Sequence, residues 1–123
     1  MMKLIIWLLT CTFLVGATAY AGEADVVNVK VRMTGKDTFS FDVTVRHADE
    51  GWKHYADKWD VVAPEGPILG TRTLYHPHVS EQPFTRSLSG VKISDSIKEV
   101  TVRAHDSVHK YGGKTVTVAV PSN

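Results

Sequence analysis

The chain reads as an all-β domain, a β-sandwich of about seven short strands. Three observations carry that reading. Apolar and polar residues alternate along separate runs: Val27, Val29, Val31, Met33; Phe39, Phe41, Val43, Val45; Val100, Val102, Ala104; Val116, Val118, Val120. A period of two puts every second side chain on one face, the pattern of a strand with one side buried. Turn-forming residues punctuate the runs at short intervals, at Gly35-Lys36-Asp37, Pro64-Glu65-Gly66-Pro67, Ser94-Asp95-Ser96 and Gly112-Gly113. After residue 21, no segment has the three-and-four apolar spacing of an amphipathic helix.

Residues 1–21 stand apart. Lys3 precedes an apolar run from Leu4 to Ala17, and Ala19-Tyr20-Ala21 closes it with small residues where signal peptidase reads them. This is the order of a secretory signal peptide, cut before Gly22. A spanning anchor needs about 20 apolar residues, more than this run offers. A lipid anchor at Cys11 is disfavoured because Leu8-Leu9-Thr10 lacks the small residue wanted before the cysteine. The single cysteine leaves with the signal, so the mature chain folds without a disulfide although export takes it to an oxidising compartment. What remains, residues 22–123, has the size of one domain. The expected location is periplasmic or secreted, with no stable membrane anchor in the mature chain.

The elements follow in order. Residues 27–33 and 39–46 form a hairpin about Gly35. Residues 59–63 make a third strand, stopped by Pro64, and 68–74 a fourth, in which Gly70 marks a bulge. Pro83 sets the turn into a fifth strand, 84–88, whose Phe84 faces inward. Residues 99–105 and 115–120 supply the last two. Trp59, in phase with Val61, belongs to the core. Phe84 to Val120 resembles the last three strands of a fibronectin type III or immunoglobulin-like domain: Gly90-Val91 closes one strand and Ala104-His105-Asp106 ends the next. Val100 stands where such domains usually carry a tyrosine. The expected fold is thus an immunoglobulin/fibronectin III-like sandwich, an architecture that specifies no activity by itself.

With 14 Lys/Arg against 13 Asp/Glu and no charge run, nucleic acid and anionic membrane are poor partners. No Gly-x-Ser-x-Gly elbow or phosphate loop is present, and the mature chain has no cysteine nucleophile, so a non-enzymatic role is expected. Ser80, His78 and Asp57 can be drawn as a triad, but such sets arise easily by chance.

The histidines are the chemically informative feature. If strands alternate in direction, the loops 47–57, 75–83 and 105–113 share one pole, and they hold all six: His47, His54, His76, His78, His105 and His109. Neutral imidazole binds Zn(II) or Cu(II), and a site needs three or four donors around one point. Without thiols, and with Met33 at the far side, a Cu(I) carrier is disfavoured. His76 and His78 lead the ligand candidates, since His-Pro-His puts two rings on one side of a restrained backbone. His54, His105, His109 and Glu81 complete the candidate set. Asp57 is a further carboxylate for the metal or for orienting an imidazole. His47 reads as an ordinary strand-end residue. The same composition also suits a metal-free hydrogen-bonded network, or a pH-responsive surface. It equally suits a module that binds a protein or small ligand through Trp52, Tyr55, Asp57 and Arg86. Arg86 is placed to pair with Glu81 or Asp57.

Gly51-Trp52, His54-Tyr55-Ala56-Asp57, Trp59, and above all His76-Pro77-His78 with Glu81-Gln82-Pro83-Phe84-Thr85-Arg86, resemble a group of small exported bacterial proteins whose activity is uncharacterised. The likeness implies export, and brings no cofactor or partner with it.

Overall fold

In the computed structural model, which describes residues 22–122, seven strands follow one another: β1 (Asp25–Gly35), β2 (Thr38–Arg46), β3 (Ala56–Val62), β4 (Ile68–Thr73), β5 (Phe84–Lys92), β6 (Glu99–Asp106) and β7 (Val116–Ala119). The expected signal segment, with Cys11, lies outside the described residues. β1-β2-β5 form one sheet and β4-β3-β6-β7 the other, with every pairing antiparallel. Between them lie Phe41, Val43 and Val45 of β2, Trp59 and Val61 of β3, Phe84 and Val91 of β5, and Val100, Val102 and Ala104 of β6, all buried. The alternation in β2 and β6 is therefore the core itself, each buried aliphatic or aromatic side chain contributing roughly 1.5–3 kcal/mol by leaving water. Val29, Val31 and Met33 of β1 and Val116, Val118 and Val120 are only partly buried against it, and a register shift between Val26 and Asn28 buries Val26 and leaves Val27 exposed.

β1 runs two residues past its expected bounds at each end, and β3 and β5 also exceed theirs. β3 begins at Ala56 rather than Trp59, because Ala56 already pairs with Asp106 and the Asp57 carbonyl accepts the Leu74 amide at 2.8 Å. β5 continues past Leu88 to Lys92. Gly90 takes a φ of 71°, open to a residue without Cβ, and the ladder with β2 resumes at Val91 after an irregularity. The bulge expected near Gly70 is present: Val61 pairs with Gly70 and Val62 with Ile68, leaving Leu69 extra.

The N-terminal end of β1 is latched to the segment before β7. The Val26 amide donates to the Lys114 carbonyl at 2.8 Å, and the Lys114 amide donates to Asp25 Oδ1 at 2.7 Å. Gly113 makes this approach possible, since a Cβ there would lie 2.0 Å from the Ala24 carbonyl oxygen. Gly113→Ala is expected to force the two segments apart and cost roughly 1–3 kcal/mol. A thermal melt would show it as a drop of several degrees; an unchanged melt would mean the latch carries no stability.

Register brings three connections to one end. Val45 of β2 pairs with Phe84 of β5, Ala56 of β3 with Asp106 of β6, and Lys58 of β3 with Thr73 of β4. The β2–β3, β4–β5 and β6–β7 loops therefore start and finish at the same pole.

Candidate metal centre

The phase of two strands builds the centre. Along β2 the inward residues Phe41, Val43 and Val45 are continued by His47, one residue past the strand. Along β6 the inward Val100, Val102 and Ala104 are continued by Asp106. Because β2 and β6 belong to opposite sheets, these two polar residues meet at the mouth of the sandwich. His47 Nε2 lies 2.8 Å from Asp106 Oδ2, and both side chains are wholly shielded from solvent. His54, in phase with buried Ala56, places Nε2 2.9 Å from the same oxygen. His109, in the turn after β6, brings Nδ1 to 3.1 Å from it and 3.2 Å from His54 Nε2. That turn is shaped by Asp106 Oδ1, which accepts the Val108 amide at 2.8 Å and also the His109 amide. Among the described residues, His47, His54 and Asp106 form a group whose ligand atoms all lie within 4.8 Å of one another, with the capacity to hold a metal ion.

Around the centre, a second layer fixes the rings. Asp49 Oδ1 accepts from His47 Nδ1 and from the Ala56 amide at 3.1 Å, while Oδ2 accepts the His78 amide at 2.7 Å. Gln82 takes the His47 amide on Oε1 at 3.0 Å and donates from Nε2 to the His78 carbonyl at 2.9 Å. The β4–β5 loop is thereby tied to His47 through two side chains. Holding Nδ1 on a carboxylate turns Nε2 inward, the arrangement that orients imidazole ligands. If the centre holds Zn(II), Asp49→Ala is expected to weaken that binding by about 10–100-fold, measured by competition against a chromogenic chelator; unchanged affinity would show that the ring is held by packing alone.

The charges are arranged to match. Burial pushes the Asp106 carboxyl up, but the amide of His109, the rings of His54 and His109 and the Val108 amide outweigh it and hold it well below the usual carboxylate range. Asp49 behaves alike: burial raises it, and hydrogen bonds from His47, His78 and Ala56 bring it down. For His47 burial favours the neutral ring, yet Asp49 and Asp106 together raise its pKa. The mouth of the sandwich thus stabilises positive charge.

The other candidate residues lie elsewhere at the pole. His54 and His109 join the centre, whereas His76, His78, His105 and Glu81 are engaged with other partners or face solvent. Arg86 Nη2 donates to His78 Nε2 at 3.0 Å, and the His78 ring stacks on Phe84 at 4.0 Å. Burial, then Arg86, lowers the His78 pKa, so this ring is neutral and its lone pair is taken up by the guanidinium. His76 is exposed beside it, with ring centroids 4.7 Å apart. Glu81 pairs with Arg86 at 3.2 Å. His105 follows Ala104 with the opposite phase and so faces outward, where Nδ1 meets Asp57 Oδ1 at 2.5 Å. On that outer face Asp60, buried, accepts from Thr71 at 2.6 Å, from Tyr111 at 2.5 Å and from Arg103 at 3.3 Å. Of the residues expected to meet a partner, Trp52 is 68% exposed and stands edge-on to Tyr55 at 5.8 Å. Asp57 and Arg86 are occupied by His105 and Glu81.

His47, expected to be an ordinary strand-end residue, instead lies buried between Asp49 and Asp106, and Asp106 is the carboxylate at the centre of the group. The signal for both was strand phase, two residues beyond Val45 and Ala104, with the Asp106-Ser107-Val108-His109 turn spacing as a second pointer.

No protein-family model matches the chain, and no solved structure matches it. A protein of Halomicrobium mukohataei named "Putative lipoprotein" is 41% identical over 100 residues, 81% of this chain and 49% of that protein. The chain thus spans about half the length of the relative it matches.

Proposed function

We propose that the chain is an exported, non-enzymatic binding domain whose pole holds one divalent transition ion, Zn(II) or Cu(II). The ligands are His47 Nε2, His54 Nε2, His109 Nδ1 and Asp106 Oδ2. One observation carries this: three imidazole nitrogens crowd a single carboxylate oxygen at 2.8, 2.9 and 3.1 Å. A carboxylate oxygen offers two lone pairs, so a hydrogen-bonded network is over-subscribed there. Two of the nitrogens also face each other at 3.2 Å. Ligands on a tetrahedral ion with bonds near 2.0–2.1 Å stand about 3.3 Å apart. From Asp106 Oδ2 to each ring nitrogen, and from His54 to His109, the gaps of 2.8–3.2 Å fall a few tenths of an ångström short of that spacing. Nitrogen and carboxylate donors without sulfur suit Zn(II) or Cu(II). The four would saturate tetrahedral zinc, while tetragonal copper would keep a position for water or another ligand.

Export is supported by the signal-like residues 1–21, with cleavage expected before Gly22, and by the name of the Halomicrobium relative, which speaks for an envelope-associated protein. The strand order β1-β2-β5 against β4-β3-β6-β7 supports the likeness to fibronectin type III domains.

Elemental analysis of tag-free protein should find one Zn or Cu per chain. At free metal 100-fold above Kd, the melt should shift upward by about 2.7 kcal/mol of stability. Absence of metal together with no shift in either ion would end this reading. The exposed Trp52 and Tyr75, at 68% and 76%, favour a protein or small-ligand surface beside the centre as a second reading. In that case Trp52→Ala abolishes partner binding and leaves metal affinity unchanged.

A further inference from the structure

We infer that the mature amino terminus is itself a ligand: Gly22, through its carbonyl oxygen and its α-amine, takes the positions left open when the ion held by His47, His54, His109 and Asp106 is Cu(II). The inference rests on the metal reading above and on cleavage after Ala21.

The Gly22 carbonyl oxygen lies 2.9 Å from His47 Nε2, the nitrogen that also faces Asp106 Oδ2 at 2.8 Å. About 3 Å is the separation of donors set at right angles around one ion with bonds near 2.1 Å, the arrangement of tetragonal Cu(II). The chain end is held there by packing. Ala24 and Val26 are buried, at 1% and 2% exposure, and the Val26 amide is bonded to Lys114. Gly113 lets the Ala24 carbonyl lie where a Cβ would otherwise be, at 2.0 Å. Gly112 does the same for Glu23, whose Cγ lies 3.0 Å from its notional Cβ. Two consecutive glycines thus form a slot for residues 23–25 and leave Gly22 over the centre.

Cleavage changes the chemistry of this residue. Within the precursor the Gly22 nitrogen is a peptide amide, a poor metal donor near neutral pH. After cleavage it is a terminal amine, whose nitrogen offers a lone pair to the ion. The nitrogen and carbonyl oxygen of one residue close a five-membered ring with an ion, so signal removal would finish the site and reserve full-strength binding for the exported chain.

The test compares two tag-free proteins: one beginning at Gly22, the other extended by Ala21 alone. Each is titrated with Cu(II) against a competing chelator, and electron paramagnetic resonance spectra of the copper forms are recorded. The Gly22-start chain should bind at least about tenfold tighter and show a nitrogen donor that the extended chain lacks. The metal-free melts should coincide, excluding a difference in folding. Equal affinities, or unaltered spectra, would overturn the inference and leave Gly22 as a hydrogen-bond acceptor for His47, with the metal reading intact. If neither chain binds copper, the metal reading falls and this one with it. Mass spectrometry of the exported protein giving a first residue other than Gly22 would also overturn it.

Discussion

Asp106→Ala is expected to abolish metal binding and to destabilise the metal-free domain by about 3–5 kcal/mol, the cost of removing one partner from a buried charge cluster. The carboxylate is wholly buried, accepts two backbone amides on Oδ1 and has the His47, His54 and His109 ring nitrogens within 3.1 Å of Oδ2. Truncating it leaves the Val108 and His109 amides without their acceptor and the His47 ring facing a cavity. Denaturant melts measure the loss of stability, and a competition titration measures the loss of binding. Since the alanine variant could be too unstable to study, Asp106→Asn supplies a second measurement. Its carbonyl can still accept the two amides, but it carries no charge and offers at best a weak ligand. Asn at this position should melt closer to the parent while losing at least about a hundredfold in Zn(II) affinity. Parent-like affinity in the asparagine variant would remove Asp106 from the ligand set.

The second large effect is a contrast among histidines. His47→Ala and His54→Ala should each weaken Zn(II) or Cu(II) binding by at least about a hundredfold, more than outer-layer substitutions usually do. His109→Ala should weaken it less, because that side chain is 40% exposed and lies at the open edge of the centre. His76→Ala and His105→Ala should change affinity by less than about threefold, a difference under roughly 1 kcal/mol. His76 faces solvent and His105 is held by Asp57 on the outside of the sheet. A reversed ranking, with His76 and His105 sensitive and His47 insensitive, would move the ion to the outer part of the pole.

The same contrast shows what could be read from the sequence. Alternation as in Phe41-Val43-Val45 and Val100-Val102-Ala104, with turn residues marking off β3, β4 and β5, made the seven strands legible, whereas the pairing of β2 with β5 and of β3 with β6 follows from sheet assembly. Gathering of the histidines at one pole was legible too, since it depends only on strand direction. Which histidines converge depends on phase. His105 and Asp106 are neighbours in the chain, yet one faces out to Asp57 and the other in to His47. Counting loop residues treats them alike. His78 looked like a strong ligand because His-Pro-His restrains two rings, but the register of β5 puts Arg86 against its free nitrogen. That pairing is a tertiary fact and leaves no local trace. What His76–Arg86 does instead is structural: through His78 and Gln82 it grips Asp49 and the backbone of His47, behind the centre rather than in it.

The most direct measurement is a crystal of tag-free protein, grown with Zn(II) and recorded on both sides of the zinc absorption edge. The anomalous peak should lie within about 2.2 Å of His47 Nε2, His54 Nε2 and Asp106 Oδ2, with His109 Nδ1 closing the set. A peak between His76 and His78, or none at a protein site under saturating zinc, would contradict the proposed centre.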